Sequence, residues 1–148
     1  MTPSQKRALA ELWPKYGCEF STTPLEFKKL FGRDAPVVLE IGFGNGDTLV
    51  EQAAMSPDID FLGIEVHEPG VGHCLIAAND ASLENLRLII HDAIEVLDVQ
   101  VPPASLRRIN LYFPDPWPKK RHHKRRIVQP RFIGLCADKL EPGGAIHI

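Results

Sequence analysis

The sequence predicts an α/β fold, doubly wound around a mostly parallel sheet of about five strands. Three observations carry that prediction. Short apolar runs recur along the chain at Val37–Ile41, 60–66, Leu86–Ile90, 108–113 and 145–148. Helical segments separate them at Asp47–Met55, 69–79, 93–97 and 129–140. The runs are nearly continuous in apolar residues, as in strands that helices cover on both faces, and lack the alternation of a sheet with one wet face.

Each element has a local reason. Residues 4–16 read as a helix with Leu9, Leu12 and Trp13 on one side and Gly17 as a stop. Thr23-Pro24-Leu25-Glu26 has the form of a capping box, with Pro24 at the first helical position and Gly32 as terminator. The remaining helices follow strands, as βαβ units require. Near the C-terminus, Leu140-Glu141-Pro142-Gly143-Gly144 ends the last helix and turns into the fifth strand. The chain divides into an N-terminal helical segment, 1–36, and an α/β core, 37–148.

Composition narrows the class. A chain of 148 residues with 44% hydrophobic content is a globular domain with a sizeable core. No apolar run is long enough to span a bilayer, and no apolar signal core opens the chain, so a cytoplasmic location is expected. Cys18, Cys74 and Cys136 form no CxxC pair and indicate neither a disulfide framework nor a thiolate metal site. The net charge of −2 predicts no partner by itself. The uneven placement of positive charge does, because Lys119, Lys120, Arg121, Lys124, Arg125 and Arg126 fall within eight residues. Such a run repels itself, and phosphates relieve that repulsion, which points to a nucleic acid. His122 and His123 sit inside the run, but adjacent histidines without further ligands make a poor metal site, and no metal is predicted.

In doubly wound folds ligands bind beyond the carboxyl ends of the strands. Acids stand at those ends here: Glu40, Glu65, Asp92 and Asp115. Gly42, Gly44 and Gly46 follow the first strand and let the backbone turn sharply against a ligand. The spacing is GxGxG, and Glu40 lies two residues before the first glycine. A carboxylate there repels a pyrophosphate and attracts an ammonium or sulfonium group, favouring S-adenosylmethionine over NAD. Glu65, 19 residues beyond Gly46, is placed to accept both hydroxyls of a ribose. Asp92 can accept from an adenine amino group or cap the helix from Ala93, and the sequence does not separate the two. Asp115 lies between Pro114 and Pro116, in a stiffened turn after the fourth strand, and is the candidate catalytic residue. Trp117 can stack on a base or plug the loop.

The segments VVLEIGFGNG, FLGIEVHEPGVG, LIIHDAIEVL and LYFPDPWPKKRHHKRR together resemble the bacterial tRNA (guanine-N7)-methyltransferases, the TrmB family. The resemblance implies a Rossmann-like class I methyltransferase fold that methylates the variable-loop guanine of tRNA at N7 from S-adenosylmethionine. Motif by motif it places Glu40, Glu65, Asp92 and Asp115 on the family's cofactor-contacting acids. Asp115 also matches the proposed catalytic position, Lys119 a substrate-contacting one, and the stretch Arg121, His122, His123, Lys124, Arg125, Arg126 the segment assigned to RNA. The family's sheet continues beyond a fifth strand, so the resemblance also implies a truncated chain with an unpaired strand edge and an exposed apolar face. Two other classes compete. A NAD-dependent oxidoreductase requires a pyrophosphate loop without Glu40 crowding it and leaves the basic run unexplained. A non-catalytic RNA-binding module, the stronger rival for a short chain, predicts tRNA binding without methyl transfer.

Overall fold

The computed structural model describes residues 1–112 and 130–148. Five strands, β1 (Val37–Ile41), β2 (Asp60–Glu65), β3 (Leu86–Ile90), β4 (Leu106–Leu111) and β5 (Leu140–His147), form one sheet in the order β3-β2-β1-β4-β5. Every pairing is parallel. Around it lie α1 (Pro3–Glu11), α2 (Trp13–Tyr16), α3 (Phe27–Phe31), α4 (Asp47–Met55), α5 (Glu68–Asp80), α6 (Ala93–Glu95) running into a π-helical turn (Val96–Gln100), and α7 (Pro130–Lys139). No helix among the described residues is long and apolar enough to cross a membrane.

The strands divide their side chains between two cores, as alternation along a strand dictates. Val38, Phe61, Leu86 and Leu88 face α1, α4 and α5, together with Leu49, Val71 and Leu75. Leu39, Ile41, Leu62, Ile64 and Ile89 face α7 and the π-helical turn, together with Phe132 and Cys136. Helix α5 buries Val71, Cys74, Leu75 and Ala78, a stripe at helical spacing. The N-terminal segment joins both cores. Ala8 and Tyr16 enter the first, where the Tyr16 hydroxyl donates to the Leu83 carbonyl at 3.0 Å. Phe20, Leu25, Phe27 and Leu30 pack against the second.

Several boundaries differ from expectation, each for a physical reason. The first helix breaks at Leu12, because Pro14 in the next turn has no N–H to donate and its ring crowds the preceding carbonyl. The box at Thr23 to Glu26 does not cap a helix. The Leu25 N–H donates instead to the Gln100 carbonyl at 2.8 Å, Glu26 is the cap residue, and α3 starts at Phe27. Tertiary docking outweighs the local cap there. A full capping box does form at Thr2 and Gln5, which the sequence reading passed over. Gly32 ends α3 in the left-handed conformation at φ 76°, as expected.

Strand β4 begins at Leu106, two residues before the expected start. The strand β5 begins at Leu140 and not at Ala145, so the Leu-Glu-Pro-Gly-Gly segment lies within it. Leu140 pairs with Leu106 and Ala145 with Arg108, a bulge that loops out the extra residues. Gly143 turns it at φ 83°. Gly144 lies so close to β4 that a Cβ would stand 2.9 Å from the Arg107 carbonyl oxygen. Within the described residues β5 pairs only with β4, and Ile148 beyond it is 76% exposed.

Candidate active site at the strand crossover

Strand order reverses between β1 and β4, which run side by side from the sheet's centre. That crossover opens a crevice at the carboxyl ends of the strands. A cavity of about 620 Å³ lies there, lined among others by Glu40, Gly44, Glu65, His67, Gly70 and Tyr112. The volume suits a cofactor-sized ligand.

The glycine loop builds its floor. Gly42, Gly44 and Gly46 adopt φ values of 74°, 65° and 79°, a left-handed conformation that side chains disfavour. Close approach adds to the requirement at the far end of the loop. A Cβ on Gly46 would fall 2.4 Å from Cys74 Sγ on α5, and one on Gly70 would fall 2.2 Å from the Gly44 carbonyl oxygen. Helix α5 therefore rests on the loop backbone directly. Phe43, 4% exposed, pins the loop from beneath.

Glu40 is 3% exposed, yet it contributes to the cavity wall. Burial pushes its carboxyl above the usual 4.5, and hydrogen bonds and the Arg108 charge restrain that rise. Gln52 Nε2 on α4 donates to Glu40 Oε1 at 3.0 Å. Gln52 Oε1 in turn accepts from Arg108 Nη2 at 3.2 Å and Asn110 Nδ2 at 3.4 Å, while Arg108 Nε donates to Asn110 Oδ1 at 3.0 Å. Asn110 stands opposite Glu40 in the β1–β4 register. The acid thus sits at one end of a side-chain relay spanning β1, β4 and α4.

Glu65 is held differently. Oε1 accepts the Gly44 N–H at 2.8 Å, and Oε2 accepts the Val66 and His67 N–H groups at 2.9 and 3.0 Å. Its carboxylate latches the tip of β2 to the glycine loop. Three of roughly four acceptor positions on a carboxylate are thereby used.

The other expected residues divide. Asp92 caps α6, accepting the Glu95 N–H at 3.3 Å, and is not among the residues lining the cavity. Beside it His91 stacks on Phe20, with ring centroids 3.7 Å apart. Asp115, Trp117, Lys119, Arg121, His122, His123, Lys124, Arg125 and Arg126 lie outside the described residues. Among the described residues no group of His, Cys, Asp and Glu could hold a metal ion.

The cavity also holds residues that the sequence reading missed. Gln5 reaches it from α1, Thr48 from α4 and His73 from α5. His73 Nε2 lies 2.9 Å from Asp47 Oδ1, tying the first turn of α4 to α5. Asn110, which stands behind Glu40 in the relay, was legible as a polar residue between Ile109 and Leu111 near the end of β4. Gln5 was legible as the fourth residue of a Thr-x-x-Gln box.

Comparison with known proteins gives the family and the fold. A relative from Halorhodospira halophila, a tRNA (guanine-N(7)-)-methyltransferase, is 53% identical over 149 residues, covering 100% of this chain and 64% of the relative. One of the same name from Aeromonas hydrophila subsp. hydrophila is 55% identical over 148 residues, covering 100% of this chain and 62% of the relative. The chain thus spans 62–64% of the length of these curated relatives. Among solved structures, the 16S rRNA methyltransferase KamB superposes with a TM-score of 0.61 at 18% identity, over 82% of this chain and 55% of that one. An S-adenosylmethionine-dependent methyltransferase from Thiobacillus denitrificans, in complex with S-adenosyl-L-homocysteine, superposes at 0.56 with 18% identity, over 99% of this chain and 47% of that one. These likenesses establish the class I methyltransferase fold. The model of the putative methyltransferase family matches residues 34–148, and the chain belongs to that family.

Proposed function

We propose that the protein transfers the methyl group of S-adenosylmethionine to N7 of the variable-loop guanine of tRNA. The observation that carries the reading is identity of 53–55% along the whole chain to proteins named tRNA (guanine-N(7)-)-methyltransferase. The crevice supports it, because its residues suit the cofactor. Glu40 is a buried carboxylate on a cavity wall, which suits an ammonium group, and Glu65 keeps acceptor capacity for a ribose hydroxyl. Asp92, the cap of α6 two residues past the end of β3, is assigned the adenine amino group, a role compatible with its capping bond.

The cofactor supplies an electrophilic methyl on a sulfonium. Guanine N7 carries an in-plane lone pair, so a bond forms from N7 to the methyl carbon as the carbon–sulfur bond breaks and its electron pair returns to sulfur. No proton leaves, and the base ends cationic. The protein's contribution is alignment and charge. Asp115 is assigned to the donor edge of the guanine and to the positive charge that grows on its ring. Lys119 and the run Arg121, His122, His123, Lys124, Arg125, Arg126 are assigned to the RNA backbone.

The test is incubation of the intact protein with radiolabelled S-adenosylmethionine and bulk tRNA, followed by nucleoside analysis. Label is expected in 7-methylguanosine, and Asp115→Asn should lower turnover by more than about tenfold while S-adenosylhomocysteine affinity stays within about threefold. Label in another nucleoside, or none, overturns the reading. Because the chain spans only part of its relatives' length, a second reading is an RNA-binding module, which predicts tRNA binding without transfer.

A further inference from the structure

The cavity is polarised in a way the assigned acids do not explain. Its strand side carries two carboxylates, Glu40 and Glu65. Its helix side carries groups able to donate hydrogen bonds: the amide of Gln5 on α1, the hydroxyl of Thr48 on α4 and, on α5, the ring of His73, whose Nε2 is already engaged by Asp47. A zwitterionic ligand that offers its ammonium to the first side must turn its carboxylate away from both acids, toward the second.

Gln5 is fixed for that task by contacts that leave one end of its amide unused. Its Oε1 accepts the Thr2 N–H at 2.9 Å, and its own N–H donates to Thr2 Oγ1 at 3.1 Å, completing the capping box. Among the described residues Gln5 Nε2 has no hydrogen-bond partner. The helix is set against the cavity wall with no side chain between backbones. A Cβ on Gly72 of α5 would stand 2.8 Å from Gln5 Cβ and 2.9 Å from its carbonyl oxygen. Two residues earlier, Gly70 makes the corresponding close contact with the carbonyl of Gly44. The first turn of α5 is therefore clamped between α1 and the glycine loop, and the position of Gln5 is set relative to the loop.

We propose that Gln5 is a cofactor-binding residue, whose side-chain amide donates to the carboxylate at the amino-acid end of S-adenosylmethionine. The inference rests on the reading of the crevice as the cofactor site. The N-terminal helix then completes the site with a donor of its own, beside those of α4 and α5.

Titration calorimetry on the intact protein tests it with two ligands. S-adenosylhomocysteine carries the amino-acid end, and 5′-methylthioadenosine lacks it. Gln5→Glu keeps the acceptor that the capping box needs, replaces the donor and adds a negative charge. Gln5→Ala removes both. Both variants should bind S-adenosylhomocysteine about ten- to a hundredfold more weakly, the loss of one hydrogen bond to a charged group, with Gln5→Glu the weaker binder. Both should bind 5′-methylthioadenosine as the wild type does. Thr2→Val, which removes the cap hydroxyl but keeps the Thr2 N–H that holds Gln5 Oε1, should keep S-adenosylhomocysteine affinity within about threefold. Wild-type affinity for S-adenosylhomocysteine in Gln5→Glu, or an equal loss for both ligands, overturns the role of Gln5 and leaves the cofactor site standing. A wild-type protein that binds neither ligand overturns both.

Discussion

The tips of β1 and β2 lie side by side and each carries a glutamate, but the two acids are embedded in opposite ways. Glu40 is buried and held by movable side chains, Gln52 first and Arg108 and Asn110 behind it. Glu65 is half-buried and held by three backbone N–H groups, one of them from the glycine loop. The difference separates two tasks. A carboxylate held by the backbone shapes the site, and removing it lets the loop go. A buried carboxylate facing a cavity stores unfavourable solvation that a cationic ligand can relieve.

Substitutions can break that contrast. The largest effect is expected at Glu65. In Glu65→Gln an amide NH2 must face backbone donors, so S-adenosylhomocysteine affinity should fall about a hundredfold and the melting temperature should drop by several degrees, read by calorimetry and thermal denaturation. Next is Gly70→Ala, whose methyl collides with the Gly44 carbonyl and should cost about 1–3 kcal/mol in urea unfolding, with weaker cofactor binding alongside.

Glu40→Gln should do the opposite to stability. Cofactor affinity falls about tenfold, while the melting temperature at neutral pH holds or rises, because a buried charge is removed. The sign with pH follows from the raised carboxyl. Between the ordinary value of 4.5 and the raised one, the folded state binds more protons than the unfolded chain, so wild-type stability falls as pH rises through that window. The stability advantage of Glu40→Gln should be full above the window and vanish below pH 4.5, a comparison that melting curves across pH make directly. The smallest effect is expected at Gln52→Ala, which removes one link of the relay and should weaken cofactor binding only about threefold to tenfold by calorimetry. Equal losses of stability at Glu40 and Glu65 would erase the contrast.

Much of this arrangement is legible in the residues. The runs at Val37–Ile41 and Leu86–Ile90 mark their strands residue for residue, because strands covered on both faces are mostly apolar, each run here carrying a single charged residue. The glycines after β1 announce a left-handed turn, since three of them at alternate positions have little other use there. What stays hidden depends on partners distant in sequence. Thr23 to Glu26 satisfies every local rule for a cap, yet the Leu25 N–H finds Gln100. The start of β5 depends on a bulge that only the neighbouring strand defines. The acid at residue 65 advertises a ligand contact, and its three backbone donors become visible only when β2 and the glycine loop meet. Asp92 illustrates the remaining ambiguity, since a strand-end acid and a helix cap are the same residue type at the same place.

A crystal structure of the intact protein with S-adenosylhomocysteine tests the central claim most directly. The account predicts the ligand in the cavity between the glycine loop and the tips of β1 and β2, its amino group within hydrogen-bond reach of Glu40 and its ribose beside Glu65. A ligand bound on another face of the sheet, or one whose amino group lies away from Glu40, would contradict it.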